Sequence, residues 1–333
     1  MSTKQASAVI LTALEGVRLS TEEKQCFENL PPAGFTLFRR NISPHFSAVR
    51  TLCDELQTLR HPSDPQLMIA IDQEGGRVAR LKAPFPDFGP AMNLAGGRTD
   101  GPALVEIENI GFSMGATLRQ LGINVDFAPV LDILTREDNV AIGDRCFGRD
   151  VHAVTERSGA FMNGLHLGGV LGCLKHFPGQ GDAGVDTHET GARIEADRAT
   201  LLTRELSPFQ KWIPSAPMVM ISHAVYPALD TENPASLSRA IMIDLLRDEM
   251  GFRGLIVSDD MNMKAIDQSR EPWCEAIVAS IAAGADMVLV CRELERYRWA
   301  AEAIAKEAAK SKLFAARLDD AVDRVLMTRG RVY

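Results

Sequence analysis

Eight short apolar runs recur along this 333-residue chain, with amphipathic stretches of helix length between them. The runs begin at Ala8-Val9-Ile10-Leu11, Phe35-Thr36-Leu37-Phe38, Leu67-Met68-Ile69-Ala70-Ile71 and Val125-Asp126-Phe127-Ala128. Four more follow at Val170-Leu171-Gly172-Cys173-Leu174, Met218-Val219-Met220-Ile221, Leu255-Ile256-Val257 and Met287-Val288-Leu289-Val290. Helical patterning is clearest over Phe46–Leu59, Ala103–Leu121, Ala153–Leu167 and Leu237–Met250. Strands separated by helix-length crossovers pair in parallel. Eight such units predict a closed (β/α)8 barrel of the TIM type, one domain over residues 1–333. The first unit is short and holds Pro31-Pro32, so it is expected to be irregular. Two final stretches, Leu294–Lys310 and Leu318–Arg329, are expected to close and cap the barrel.

A parallel barrel carries its chemistry at the carboxyl ends of its strands. The polar residues gather there: Asp72 after the third run, Asp132 after the fourth, Lys175-His176 after the fifth, Ser222-His223 after the sixth and Asp259 after the seventh. The fifth exit is the most telling. Lys175-His176-Phe177-Pro178-Gly179-Gln180-Gly181 opens a glycine-rich loop that delivers Asp186 and His188. Residues i and i+2 of an extended segment point to one side, and a carboxylate beside an imidazole fixes its tautomer and raises its pKa. The three glycines of 179–185 read as a mobile connection able to bring that pair in after substrate binds.

Composition narrows the class. The net charge of -8 offers no basic face for nucleic acid and no reason to seek a membrane surface. No apolar stretch approaches the ~18 residues of a spanning helix, and the first residues lack the pattern of a signal peptide. Six cysteines, none in Cys-x-x-Cys spacing, read as buried thiols of a reducing compartment, so a cytoplasmic protein is expected.

The segment Lys175–His188 resembles the signature of glycoside hydrolase family 3, in particular its bacterial β-N-acetylglucosaminidase branch of peptidoglycan recycling. Four further blocks carry the resemblance: Ile71–Val78 with Arg80, Asn124–Asp132, Gly143-Asp144-Arg145 with Phe147-Gly148, and Ser258-Asp259-Asp260-Met261 with Met263. The family more often has Leu at the position of Met261. The resemblance implies a retaining exo-hydrolase of terminal β-1,4-linked N-acetylglucosamine on (1,6-anhydro)muropeptides. It implies Asp259 as nucleophile, His188 as general acid/base and Asp186 as the group that orients it, in place of the usual second carboxylic acid. It further implies that Asp72, Arg80, Arg145, Lys175 and His176 line the sugar subsite. No cofactor and no metal are expected. The partner is a small-molecule substrate, and the protein is expected to be a monomer or weak dimer without the second sandwich domain many relatives carry. A phosphorylase or β-glucosidase of the same family, or a non-catalytic muropeptide sensor, are the rival readings.

Other residues keep two readings each. Arg77 suits an ion pair with Glu74 or a ligand role. Asp126 and Asp132 suit orienting Arg145 or Lys175, or touching sugar. Asp260 is expected to point away from the nucleophile's side and to cap the next turn. His223 lines the pocket or stands behind it. Met261 and Met263 suit packing, near the acetamido group or in the core. His45, His61, His152 and His166 read as ordinary surface or helix residues. Glu74-Gly75-Gly76-Arg77 lacks the glycine spacing of a nucleotide loop. A metal held by His176, His188 and His223 is opposed by the cation of Lys175 and by the absence of His-x-His or His-Glu-x-x-His spacing.

Overall fold

A computed structural model describes residues 3–184 and 191–332. Eight parallel strands close a barrel: β1 (Ile10–Thr12), β2 (Gly34–Leu37), β3 (Met68–Ile71), β4 (Val125–Asp126), β5 (Leu171–Phe177), β6 (Met218–Ile221), β7 (Leu255–Asp260) and β8 (Met287–Val290). Each pairs with its neighbour in chain order, and β8 returns to β1 in the register Ile10↔Val288. The predicted (β/α)8 barrel is therefore the observed one.

Two apolar layers follow from the period-two alternation of strand side chains. Leu11, Met68, Ala70, Val125, Cys173, Met218, Met220, Leu255, Val257, Met287 and Leu289 point inward and fill the barrel. Ile10, Ile69, Ile71, Leu174, Val219, Ile221, Ile256, Val288 and Val290 point outward under the helices. The inward parity, carried two residues further toward each carboxyl end, leads from Ala70 to Asp72, from Cys173 to Lys175, and from Val257 to Asp259.

The first unit is short but regular, contrary to expectation. Thr21–Asn29 forms a helix begun by a capping box, in which Ser20 accepts from the Glu23 N–H and the Glu23 carboxylate accepts from the Ser20 N–H. The two prolines fall after that helix, where they interrupt no helical hydrogen bond. The short strand is β4: its ladder stops after two residues, and Pro129 close behind has no N–H to extend it. Asp100 and Asp150 cap the helices Gly101–Gln120 and Val151–Leu167 by accepting from the N–H groups of Ala103 and Ala153. Helices Leu294–Lys310 and Lys312–Arg329 end the chain as anticipated. All six cysteines are free thiols. Among the described residues no helix is long and apolar enough to cross a membrane.

Candidate active site

A cavity of about 590 Å³ opens at the carboxyl ends of the strands. Asp72, Arg80, Arg145, Lys175, His176 and Asp259 all line it. These six expected site residues are thus brought together from four separate strand exits. Asp186 and His188 lie outside the described residues. The cavity floor is apolar, made by Phe127, Met220 and Leu289 from the top of the barrel interior.

One wall is a compact lattice of charge. Lys175 Nζ lies 2.6 Å from Glu74 Oε1 and 3.0 Å from Asp72 Oδ1. Arg80 Nη2 donates to Asp72 Oδ2 at 2.9 Å. Arg145 grips Glu74 with two bonds of 2.8 Å, the fork geometry that makes such pairs strong and directional. Burial would raise both carboxyls, but the cations outweigh it: Lys175 and Arg80 hold Asp72, and Arg145 and Lys175 hold Glu74, well below the usual carboxylate range. Burial would likewise strip Lys175 of its proton, yet Glu74 and Asp72 push its pKa above the ordinary lysine value. The wall therefore presents fixed charges, ionised at neutral pH, to whatever enters.

Two expected pairings are corrected. Arg77 does not meet Glu74. It bonds Asp144 Oδ1 at 3.0 Å and three carbonyls of 140–142, because Arg145 and Lys175 already occupy Glu74. Asp132 orients neither Arg145 nor Lys175; it takes the His176 Nδ1 at 2.6 Å. Asp126 instead accepts from the Gln73 N–H at 2.9 Å, and burial raises its pKa well above the ordinary value.

Asp259 ends β7 beside Asp260, whose N–H donates to Asp259 Oδ1 at 2.8 Å. Asp260 caps its turn as expected, with Oδ1 accepting from Asn262 and Cys291, yet it also lines the cavity. Burial, aided by the Asp259 charge, pushes Asp260 up to about 6. His223 stands behind the cavity wall: Nδ1 meets Ser236 Oγ at 2.6 Å and Nε2 meets the Asp260 carbonyl at 3.1 Å. Burial lowers its pKa, so it serves as a neutral brace for the β7 exit. Met261 is core, while Met263 lines the cavity.

Residues 179–184, the described part of the glycine-rich segment, are anchored by hydrogen bonds. Asp132 Oδ1 accepts from the Gln180 N–H at 2.7 Å, Asn139 Nδ2 donates to the carbonyls of Gln180 and Gly181, and the Tyr226 hydroxyl donates to the Gly179 carbonyl. A Cβ on Gly181 would sit 1.6 Å from the Ile133 carbonyl oxygen. Here glycine permits a close backbone approach.

Glu74 is the main site residue that reading along the chain assigned to the wrong partner. A signal was present: it stands two residues after Asp72 and so shares its side in an extended segment. The same spacing after β2 places Thr36 and Phe38 on the cavity wall.

Comparison with known proteins agrees with the barrel fold. The profile of the glycosyl hydrolase family 3 N terminal domain matches residues 6–328. A β-hexosaminidase of Pseudomonas aeruginosa is 34% identical over 285 residues, which are 85% of this chain and 82% of that protein. One from Chromobacterium violaceum is 35% identical over 291 residues, 86% of this chain and 79% of its own. Among solved structures, a family 3 β-N-acetylglucosaminidase from Paenibacillus sp. superposes with a TM-score of 0.90 at 32% identity over 99% of this chain. This chain spans only 62% of that protein. Neisseria gonorrhoeae NagZ, solved in complex with N-trifluoroacetyl-D-glucosamine, gives a TM-score of 0.79 at 29% identity over 96% of this chain and 98% of its own.

Proposed function

We propose a reaction for this chain from its family: the chain belongs to glycosyl hydrolase family 3, and we infer that it is an exo-acting, retaining β-N-acetylglucosaminidase. The observation that carries the reading is the shared cavity. Asp259 lines it together with Asp72, Arg80, Lys175, Arg145 and His176. In the proposed mechanism Asp259 attacks the anomeric carbon, and a glycosyl ester forms on its carboxylate. His188, oriented by Asp186, gives a proton to the leaving oxygen and later takes one from the water that cleaves the ester. Asp72, Arg80, Lys175, Arg145 and His176 hold the sugar hydroxyls, since charge-assisted hydrogen bonds compete well with water.

An apolar floor closes the cavity from below, so a glycan enters by its end and not along its length. That supports exo action. The substrate proposed is N-acetylglucosamine β-1,4-linked to 1,6-anhydro-N-acetylmuramic acid, with or without stem peptide. The N-trifluoroacetyl-D-glucosamine bound to the gonococcal relative supports the first unit. The same reading takes residues 1–333 as one barrel domain, a monomer or weak dimer of the cytoplasm, where six free thiols remain reduced.

The test is mass spectrometry of the intact protein after incubation with a 2-acetamido-5-fluoro glycosyl fluoride, followed by peptide mapping. An adduct on Asp259 is expected. An adduct on another residue, or none in a folded protein that also leaves aryl N-acetylglucosaminides intact, overturns the proposal.

A further inference from the structure

One carboxylate behind His176 holds two elements at once. Asp132 is fully buried. Its Oδ2 lies 2.6 Å from His176 Nδ1, and its Oδ1 accepts from the Gln180 N–H at 2.7 Å. The other ring nitrogen, His176 Nε2, lies 3.4 Å from Arg145 Nη2. A guanidinium offers donors only, so the Nε2 facing it bears the lone pair and the ring proton sits on Nδ1, toward Asp132. Arg145 is gripped by Glu74 through two bonds and has no freedom to turn aside for the opposite tautomer.

We infer that Asp132 is a positioning residue: its carboxylate keeps His176 as the Nδ1–H tautomer, whose Nε2 lone pair meets the Arg145 guanidinium, and seats the Gln180 amide at the root of the glycine-rich segment. The inference rests on the proposed sugar-binding roles of His176 and Arg145 and adds what holds the two together. With the ring proton on Nδ1, Nε2 accepts from the guanidinium; a proton on Nε2 would face the Arg145 donors and push the two subsite groups apart.

Asp132→Asn separates this role from a merely structural one. The amide oxygen still accepts from Gln180, but its NH2 donates to His176 Nδ1 and drives the ring proton to Nε2. The test has two arms on the full chain. Long-range 15N–1H spectra of 15N-histidine protein, with His176 signals assigned by their absence in His176→Gln, read the tautomer without any turnover. Wild type is expected to carry the proton on Nδ1 and Asp132→Asn on Nε2. In kinetics, KM for an aryl β-N-acetylglucosaminide should rise roughly 10–100-fold, the size usual when the group orienting a ligating histidine is removed, with kcat changed far less. A wild-type His176 protonated on Nε2, or on both nitrogens at neutral pH, overturns the inference. So does Asp132→Asn with unchanged KM. Should that variant not fold, the wild-type spectrum decides alone. Because this arm needs no catalysis, it fails or succeeds separately from the proposed hydrolysis.

Discussion

Replacing Glu74 by glutamine tests the charge lattice at a deeply buried point. Glu74 is 4% exposed and lies between Lys175 and Arg145, with its partner carboxylate Asp72 shared between Lys175 and Arg80. Glutamine keeps the shape and one acceptor oxygen but removes the charge and turns an NH2 toward a cation. Three cations then face a single carboxylate. Removing one partner of a buried ion pair costs about 3–5 kcal/mol. With an unfolding entropy near 2.1 cal/mol/K per residue, roughly 0.7 kcal/mol/K for this length, the melting temperature should fall by about 4–7 °C. The effect has a pH signature. The Glu74 carboxyl is held low in the folded state, so its contribution is complete above the ordinary glutamate pKa of 4.5 and is lost as pH falls from there to about 2. The gap between wild type and Glu74→Gln should therefore narrow in acid. KM should also rise, because Glu74 holds Arg145 and Lys175 from behind. Thermal unfolding followed by circular dichroism at neutral and acid pH, with KM measured alongside, checks all three. A variant that melts with wild type at neutral pH would refute the claim that the lattice is held together by this carboxylate.

Three further perturbations address separate features. His188→Ala should slow turnover of the natural disaccharide by ~10²–10⁴-fold, with a smaller loss in the first step for an activated aryl leaving group; full activity would rule out the acid/base assignment. Asp260→Asn should stabilise the protein above pH 7 and leave it unchanged near pH 4, as read by urea unfolding at both pH values. The folded-state pKa, raised to about 6, means that proton-linked stability is full below the ordinary 3.8 and is lost as pH rises through 6, while the asparagine oxygen keeps the bonds from Asn262 and Cys291. An equal effect at both pH values would show that the ionised carboxyl costs nothing. Gly181→Ala should destabilise by about 1–3 kcal/mol, the usual cost of overpacking, because its Cβ would meet the Ile133 carbonyl. A neutral result would mean that the stem of the loop yields as freely as its composition suggested.

Much of the architecture was legible because it is local. Apolar runs of strand length alternating with amphipathic stretches admit few layer arrangements, and period two carries the inward parity from Ala70, Cys173 and Val257 to Asp72, Lys175 and Asp259 without reference to any other strand. The bonds that seat 179–184 were not legible, because glycine in a sequence reads by its average freedom. A glycine frees the chain in solution, but beside Ile133 it is there because nothing larger fits.

Partner choice was the part that composition and spacing could not decide. Glu74 stands three residues before Arg77 in the sequence, yet it binds Arg145, 71 residues away. His176 finds Asp132, 44 residues before it. The sequence by itself determined the barrel, the strand ends that carry the chemistry and the residue types gathered there, since these depend on periodicity along a strand. Only the tertiary structure decided which carboxylate holds which cation, which carboxylate meets the His176 ring and which carboxyl keeps a raised pKa. Those outcomes depend on distance and desolvation between segments brought together by closure of the barrel, and electrostatic energy in a buried site changes steeply with both.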